Sequence, residues 1–261
     1  MEDWKQQVTD EAKLRGYSPK TIKNYCHYIE KFLASNKSPR EFLLTLIDKE
    51  KADETVRTAG FAIKFYLMKI KKENDFIIPN VKRGKKLPVV LSKEEIQRII
   101  EATNNVNHRL MIQVIYAAGL RMSEIINLKW NDIDFDRNII HIKHAKGKKD
   151  RIVMLSPKVK KGLDVLGETK HGGVFRTNRG DNYTPRTVQK IIENAARRAQ
   201  INKRVTPHSL RHAFATHLLE SGTDIRYIKE LLGHANLSTT MIYTKVSNQN
   251  ITQIKSPLDQ W

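Results

Sequence analysis

The sequence predicts a mainly α-helical chain in two domains, with a small antiparallel β-sheet confined to the second. Three observations predict this. Residues 1–81 carry only helical apolar periodicity. A basic stretch ending in VKRGKKLPVV, with Gly84 and Pro88, then interrupts the pattern. Further on, two short segments of strand character, NIIHIKHA and DRIVML, flank the Gly-containing turn KGKK.

The elements follow in order. In GYSPKTIKNYCHYIEKFL, Ser18 is placed to cap a helix with Pro19 at its first position, and Ile22, Tyr25, Cys26, Ile29, Phe32 and Leu33 keep helical spacing behind it. Ser38-Pro39 opens a second helix in the same way, and a third pattern runs from about Thr55 to Lys71. This predicts a small helical bundle over residues 1–81. Residues 82–90 read as a basic interdomain linker. SKEE then forms a capping box, Ser92 as N-cap and Glu95 three residues on. A helix follows, then another through RLMIQVIYAAGL, then the expected hairpin with Gly147 in its turn. Thr184-Pro185 starts a further helix, and residues after Thr206 read as helical to the end of the second domain at 246. A short tail, 247–261, carries Ile251, Ile254 and Leu258 at helical spacing.

Charge narrows the function. Lys and Arg number 47 against 28 acids, a formal net charge of +19 with a pI near 9.9. Such self-repulsion points to a polyanionic partner, nucleic acid first. No apolar run approaches the roughly 18 residues of a membrane span. The polar N-terminus MEDWKQQVTDEAKL lacks an apolar signal core, so a cytoplasmic location is expected. The single cysteine, Cys26, excludes an internal disulfide framework and a Cys-based zinc finger, and its apolar helical stripe predicts a buried thiol.

Several polar residues interrupt these helical patterns. In AGLRMSE, Gly119 ends one helix and Arg121 sits where the next begins, followed by Ser123 and Glu124. In HSLRH, His208, Arg211 and His212 share one face, with Leu210, Phe214 and Leu218 on another. A histidine and an arginine at a helix start make an anion site. His208 and His212, four apart, also have metal-ligand spacing, but further ligands have no source and Arg211 would crowd a cation, so no metal is expected. In LLGH, Gly233 reads as a helix-ending residue, with His234 after it. Tyr243 stands nine residues further on, and Lys146, Lys148 and Lys149 lie at the hairpin tip.

Taken singly these are ordinary structural residues; their order and spacing are not ordinary. GLRMSE, AKGKKDRIVML, HSLRHAFATHLL, LLGH and TTMIYTKV follow one another as in the tyrosine recombinases, the phage-integrase-like proteins, and the chain resembles the Xer-type chromosome resolvases most. The resemblance covers about residues 90–246, and the helical first part fits the core-binding domain of that family. It implies the two-domain tyrosine-recombinase fold, a helical core-binding domain followed by a mixed α/β catalytic domain. It also implies a catalytic set of Arg121, Lys146, His208, Arg211, His234 and Tyr243. Ala118 stands where the family often has threonine, and the position of His234 is tryptophan in some relatives.

By that resemblance Tyr243 attacks a backbone phosphate, giving a 3′-phosphotyrosyl link and a free 5′-hydroxyl. The energy kept in that link lets another strand's 5′-hydroxyl reseal it without ATP. Arg121 and Arg211 would hold the charge on the non-bridging oxygens, His208 is a plausible base, and Lys146 would protonate the leaving oxygen. No cofactor is implied. The expected partner is double-stranded DNA carrying a short inverted-repeat site, bound by four protomers on two duplexes, with the tail docking on a neighbouring protomer or on its own domain. Contacts to DNA are expected from Lys20, Lys23, Lys82, Arg83, Lys85, Lys86 and Lys148. The alternatives are a phage or mobile-element integrase, a type IB topoisomerase, and a catalytically silent DNA-binding protein.

Overall fold

The computed structural model describes residues 4–73, 89–143, 150–167 and 171–245. It divides into two compact units at the Lys86–Leu87 bond. Of the expected linker, only residues 89 and 90 are described. Lys82, Arg83, Lys85, Lys86, Lys146, Lys148 and the tail lie outside the described residues.

The first unit is a bundle of α1 (Trp4–Leu14), α2 (Pro19–Leu33), α3 (Pro39–Asp48) and α4 (Asp53–Tyr66), the last running on into a π-helical turn, Leu67–Lys71. The caps are those the sequence supplies. Ser18 accepts from the Thr21 N–H at 3.2 Å, and Ser38 and Glu41 close a full capping box. The apolar stripe of α2 packs on α4, with α1 and α3 flanking, and Ile29, Ala59 and Ile63 are fully buried at the centre. Cys26 is buried in this core. Lys20 and Lys23 stand exposed near the start of α2.

The second unit begins with α5 (Lys93–Glu101), α6 (Val106–Ala118) and α7 (Met122–Asn127). An antiparallel sheet of β1 (Ile133–Asp134), β2 (Ile139–Ile142) and β3 (Arg151–Met154) follows, in spatial order β1-β2-β3. Ile142 pairs with Arg151, and Ile139 with Met154, as the expected hairpin requires. The helices α8 (Pro157–Leu166), α9 (Pro185–Arg198), α10 (Pro207–Glu220), α11 (Ile225–Leu232) and α12 (Leu237–Thr240) complete it, with a 3-10 turn at Tyr243–Lys245. The sequence reading had neither α8 nor β1. Ser156-Pro157 is a helix start of the same kind as Ser38-Pro39, whereas a two-residue strand leaves no periodicity to read. α6 packs on α10 and α8, and a continuous core runs from Leu91 to Ala213. Each fully buried Ile or Leu there contributes about 1.5–3 kcal/mol. Among the described residues, no helix is long and apolar enough to cross a membrane.

Candidate active site

Three sets of helix ends meet in the second unit: the α6–α7 junction, the C-terminus of α11 and the start of α10. At the junction α6 stops because Gly119 turns left-handed, with φ at +60°. A Cβ there would lie 2.4 Å from the Phe214 ring, so only glycine lets the end of α6 close on α10. Arg121 is the N-cap residue of α7 and lacks a capping oxygen. Glu124 supplies the other half of the cap instead, accepting the Arg121 backbone N–H at 2.7 Å. The same carboxylate accepts from Arg121 Nη1 at 2.7 Å, so the helix start itself fixes the guanidinium.

The end of α11 is closed by a Schellman pattern. Gly233 takes φ +61°, its N–H donates to the Glu230 carbonyl, and the His234 N–H donates to the Lys229 carbonyl. The next three carbonyls, Leu231, Leu232 and Gly233, are left without helical partners. Three arginines fill them. Arg151 Nε donates to Leu231 at 2.6 Å, Arg211 Nη2 donates to Leu232, and Arg121 Nη2 donates to Gly233 at 2.8 Å. Arg211 Nη1 also donates to the Gly119 carbonyl at 2.6 Å, tying the ends of α6 and α11 together. The negative end of the α11 dipole favours this cationic cluster.

α10 starts at a reciprocal Thr206–Ser209 cap with Pro207 at its first position. The two-faced helix read from the sequence is not what forms. α10 is covered on nearly every side, and Arg211, at 3% exposure, points inward while His208 remains exposed. Tyr243 is buried, at 2% exposure. Its hydroxyl lies 3.0 Å from His212 Nδ1, and its ring stacks on His234 at 6.4 Å between centroids. His234 Nδ1 is held at 3.0 Å by the buried Thr240 hydroxyl, and the His208 ring lies 6.3 Å from that of His212.

The electrostatics follow from this crowding. Burial would raise the Glu124 carboxyl, but hydrogen bonds and charge from Arg151 and Arg121 hold it at about 2, firmly ionised. Burial, then the neighbouring Arg121, lowers Arg211 to about 9. Burial lowers His212 and His234 to about 4, with His208 and Arg211 adding to the first and Arg211 and Arg121 to the second. Both imidazoles are therefore neutral at physiological pH. Partial burial, then Arg211 and Arg121, also lowers His208. The Tyr243 phenol is raised: burial outweighs the opposing pull of Arg211 and Arg121, so these arginines do not yield a phenolate in the DNA-free protein.

Arg121, Arg211, His234 and Tyr243 thus gather in one cluster through Gly119, Glu124, the end of α11 and His212, with His208 beside His212; Lys146 lies outside the described residues. Sequence reasoning missed two members. His212 was noted as a neighbour of His208, yet it is His212 that meets the nucleophile candidate. Arg151 was read as a strand residue only. In the fold Arg151 shares the inward face with buried Val153, while Ile152 and Met154 are exposed; the unbroken apolar run Ile152-Val153-Met154 holds no alternation from which that orientation could be read.

Similarity to known proteins gives the family. Residues 89–250 match the model of the phage integrase family. The tyrosine recombinase XerA of Pyrococcus horikoshii is 36% identical over 92% of this chain and 88% of its own. Among solved structures, a XerA recombinase is 28% identical with a TM-score of 0.59, covering 97% of this chain and all of that one. The XerH site-specific recombinase, bound to a palindromic difH substrate in a post-cleavage complex, is 25% identical with a TM-score of 0.75, covering 95% of this chain and 83% of that one. The chain belongs to the phage integrase family and is a tyrosine recombinase, an enzyme that breaks and rejoins DNA strands.

Proposed function

We propose that this recombinase resolves chromosome dimers in the cytoplasm, acting at a short inverted-repeat, dif-like site through a 3′-phosphotyrosyl intermediate on Tyr243. The observation that carries the reading is the convergence of Arg121, Arg211, His234 and Tyr243 around one helix end, with Tyr243 against a neutral imidazole. In the reaction, Tyr243 Oη bonds to the scissile phosphorus as the bond to the 5′-oxygen breaks. The phenolic proton passes to a neutral histidine, His212 from its position on the hydroxyl or His208 beside it. Arg121 and Arg211 meet the charge that gathers on the non-bridging oxygens, a task that suits a planar fork better than an ammonium. His234 adds a donor and braces the tyrosine ring. Lys146 protonates the departing 5′-oxygen. Religation reverses each step with a different 5′-hydroxyl, so the phosphodiester count is conserved and neither ATP nor a metal ion enters.

Four protomers on two duplexes would supply the four strand cleavages, with Lys20, Lys23, the basic stretch of Lys82, Arg83, Lys85 and Lys86, and Lys148 on the DNA backbone. The palindromic substrate of the XerH complex supports an inverted-repeat site. The test is incubation with fragmented genomic DNA in excess EDTA, followed by capture and sequencing of covalently attached ends. The reading expects ends recurring at one inverted repeat per chromosome. Ends confined to a mobile element indicate an integrase, scattered ends a topoisomerase, and strand cleavage that is lost in EDTA, returns with Mg²⁺ and leaves no protein-bound ends a metal-dependent nuclease.

A further inference from the structure

The arginine cluster contains one member with no role in the reaction described above. Arg151 is more deeply buried than Arg121, its side chain 7% exposed against 17%. All three of its nitrogens are committed: Nη1 and Nη2 fork onto the two Glu124 oxygens, each at 2.7 Å, and Nε holds the Leu231 carbonyl. Its stem runs along Gly233, where a Cβ would lie 3.0 Å from its Cδ. Arg151 therefore sits behind the residues that would meet a phosphate and joins the two bodies that carry them, the start of α7 and the end of α11.

We propose that Arg151 is a positioning residue for strand cleavage. By occupying Glu124 bidentately, it leaves Arg121 with a single side-chain bond to that carboxylate and the second Nη on Gly233. Without it, Glu124 draws Arg121 into its own fork–fork pair. That rotation takes Arg121 off the Gly233 carbonyl and spends its charge on a carboxylate instead of the scissile phosphate. Lysine cannot substitute, because one ammonium on a flexible stem does not span two carboxylate oxygens and a carbonyl.

The proposal rests on the active-site reading above, and the experiment separates the two. The full chain is assayed on a nicked suicide duplex carrying a site recovered by genomic trapping. If wild-type protein forms no covalent complex there, the active-site reading itself fails. If it does, R151M and R151K are compared with it for duplex affinity and for single-turnover cleavage at saturating DNA. Affinity is expected within about 3-fold of wild type and cleavage slower by roughly 10–100-fold, the usual size of a supporting-shell loss. The decisive readout uses the same duplex with a neutral methylphosphonate at the scissile position. There is then no anionic oxygen pair for Arg121 to meet, so the variant's deficit should shrink toward unity, whereas a general loss of structure would leave it unchanged. R151K keeps a cation beside buried Glu124 and serves for all three readouts if R151M does not fold. Cleavage at the wild-type rate in R151K, a loss that tracks weakened binding, or an undiminished deficit on methylphosphonate overturns the proposal.

Discussion

Arg211 shows how much one side chain does in this site. It is nearly inaccessible to solvent, it bridges the Gly119 and Leu232 carbonyls, and its crowded cation is held at about 9. Arg211→Lys keeps the charge and loses the fork. Single-turnover cleavage should fall about 10²–10³-fold, the usual loss on removing one oriented donor from a charged transition state, with duplex binding largely kept. Equal rates for the two proteins would remove Arg211 from the reaction. The histidines make a second prediction. His212 and His234 are held at about 4, below the ordinary value of 6.5, so the unfolded chain binds their protons more readily than the folded one. Their contribution to stability is complete above pH 6.5 and is lost as pH falls from there toward 4. Glu124, held at about 2, adds a further loss between 4.5 and 2. A melting temperature that is level above pH 6.5 and declines below it is expected in a pH series of thermal melts; a level profile down to pH 4 contradicts the burial of these rings.

At the scale of elements, the site is a consequence of how two helices end. Gly119 and Gly233 both turn left-handed, one to seat α6 on α10 and the other to close α11 and release three carbonyls to the arginines. Gly119→Ala combines the left-handed penalty of about 1–2 kcal/mol with a Cβ driven into Phe214. It should therefore lower stability more than Gly233→Ala, whose new Cβ meets the Arg151 Cδ at 3.0 Å instead of a ring at 2.4 Å. Denaturant midpoints of the two variants check the order, and a milder Gly119→Ala contradicts the packing described. Both glycines were legible as helix ends because a left-handed terminus leaves a local signature in sequence. The same holds for the Ser92 capping box and for the hairpin of β2 and β3. α8 was legible and overlooked, and β1 was not legible, since its pairing depends on β2 and not on any pattern of its own. The contact of His212 with Tyr243 joins residues 31 apart and the Arg151–Glu124 fork joins residues 27 apart. No local rule reaches that far, and the motif resemblance named the shell of residues around them without their partners.

For the whole molecule, a net charge of +19 supplies the long-range attraction that brings a polyanion to the surface, and the buried cluster supplies the chemistry once it arrives. In the proposed function the two tasks are divided between exposed lysines such as Lys20 and Lys23 and the buried arginines. The raised Tyr243 phenol and the neutral imidazoles fit the proposed mechanism, in which Tyr243 keeps its proton until a phosphate enters beside Arg121 and Arg211. The central claim is that this single tyrosine becomes bonded to DNA. It is tested most directly by digesting the captured protein–DNA complex and locating the nucleotide-bearing peptide by mass spectrometry, in wild-type protein and in Tyr243→Phe. The account predicts a 3′-phosphoryl adduct on Tyr243 in wild type and, in the variant, normal duplex binding with no adduct and no strand cleavage. An adduct on any other residue, or cleavage that survives in Tyr243→Phe, would contradict it.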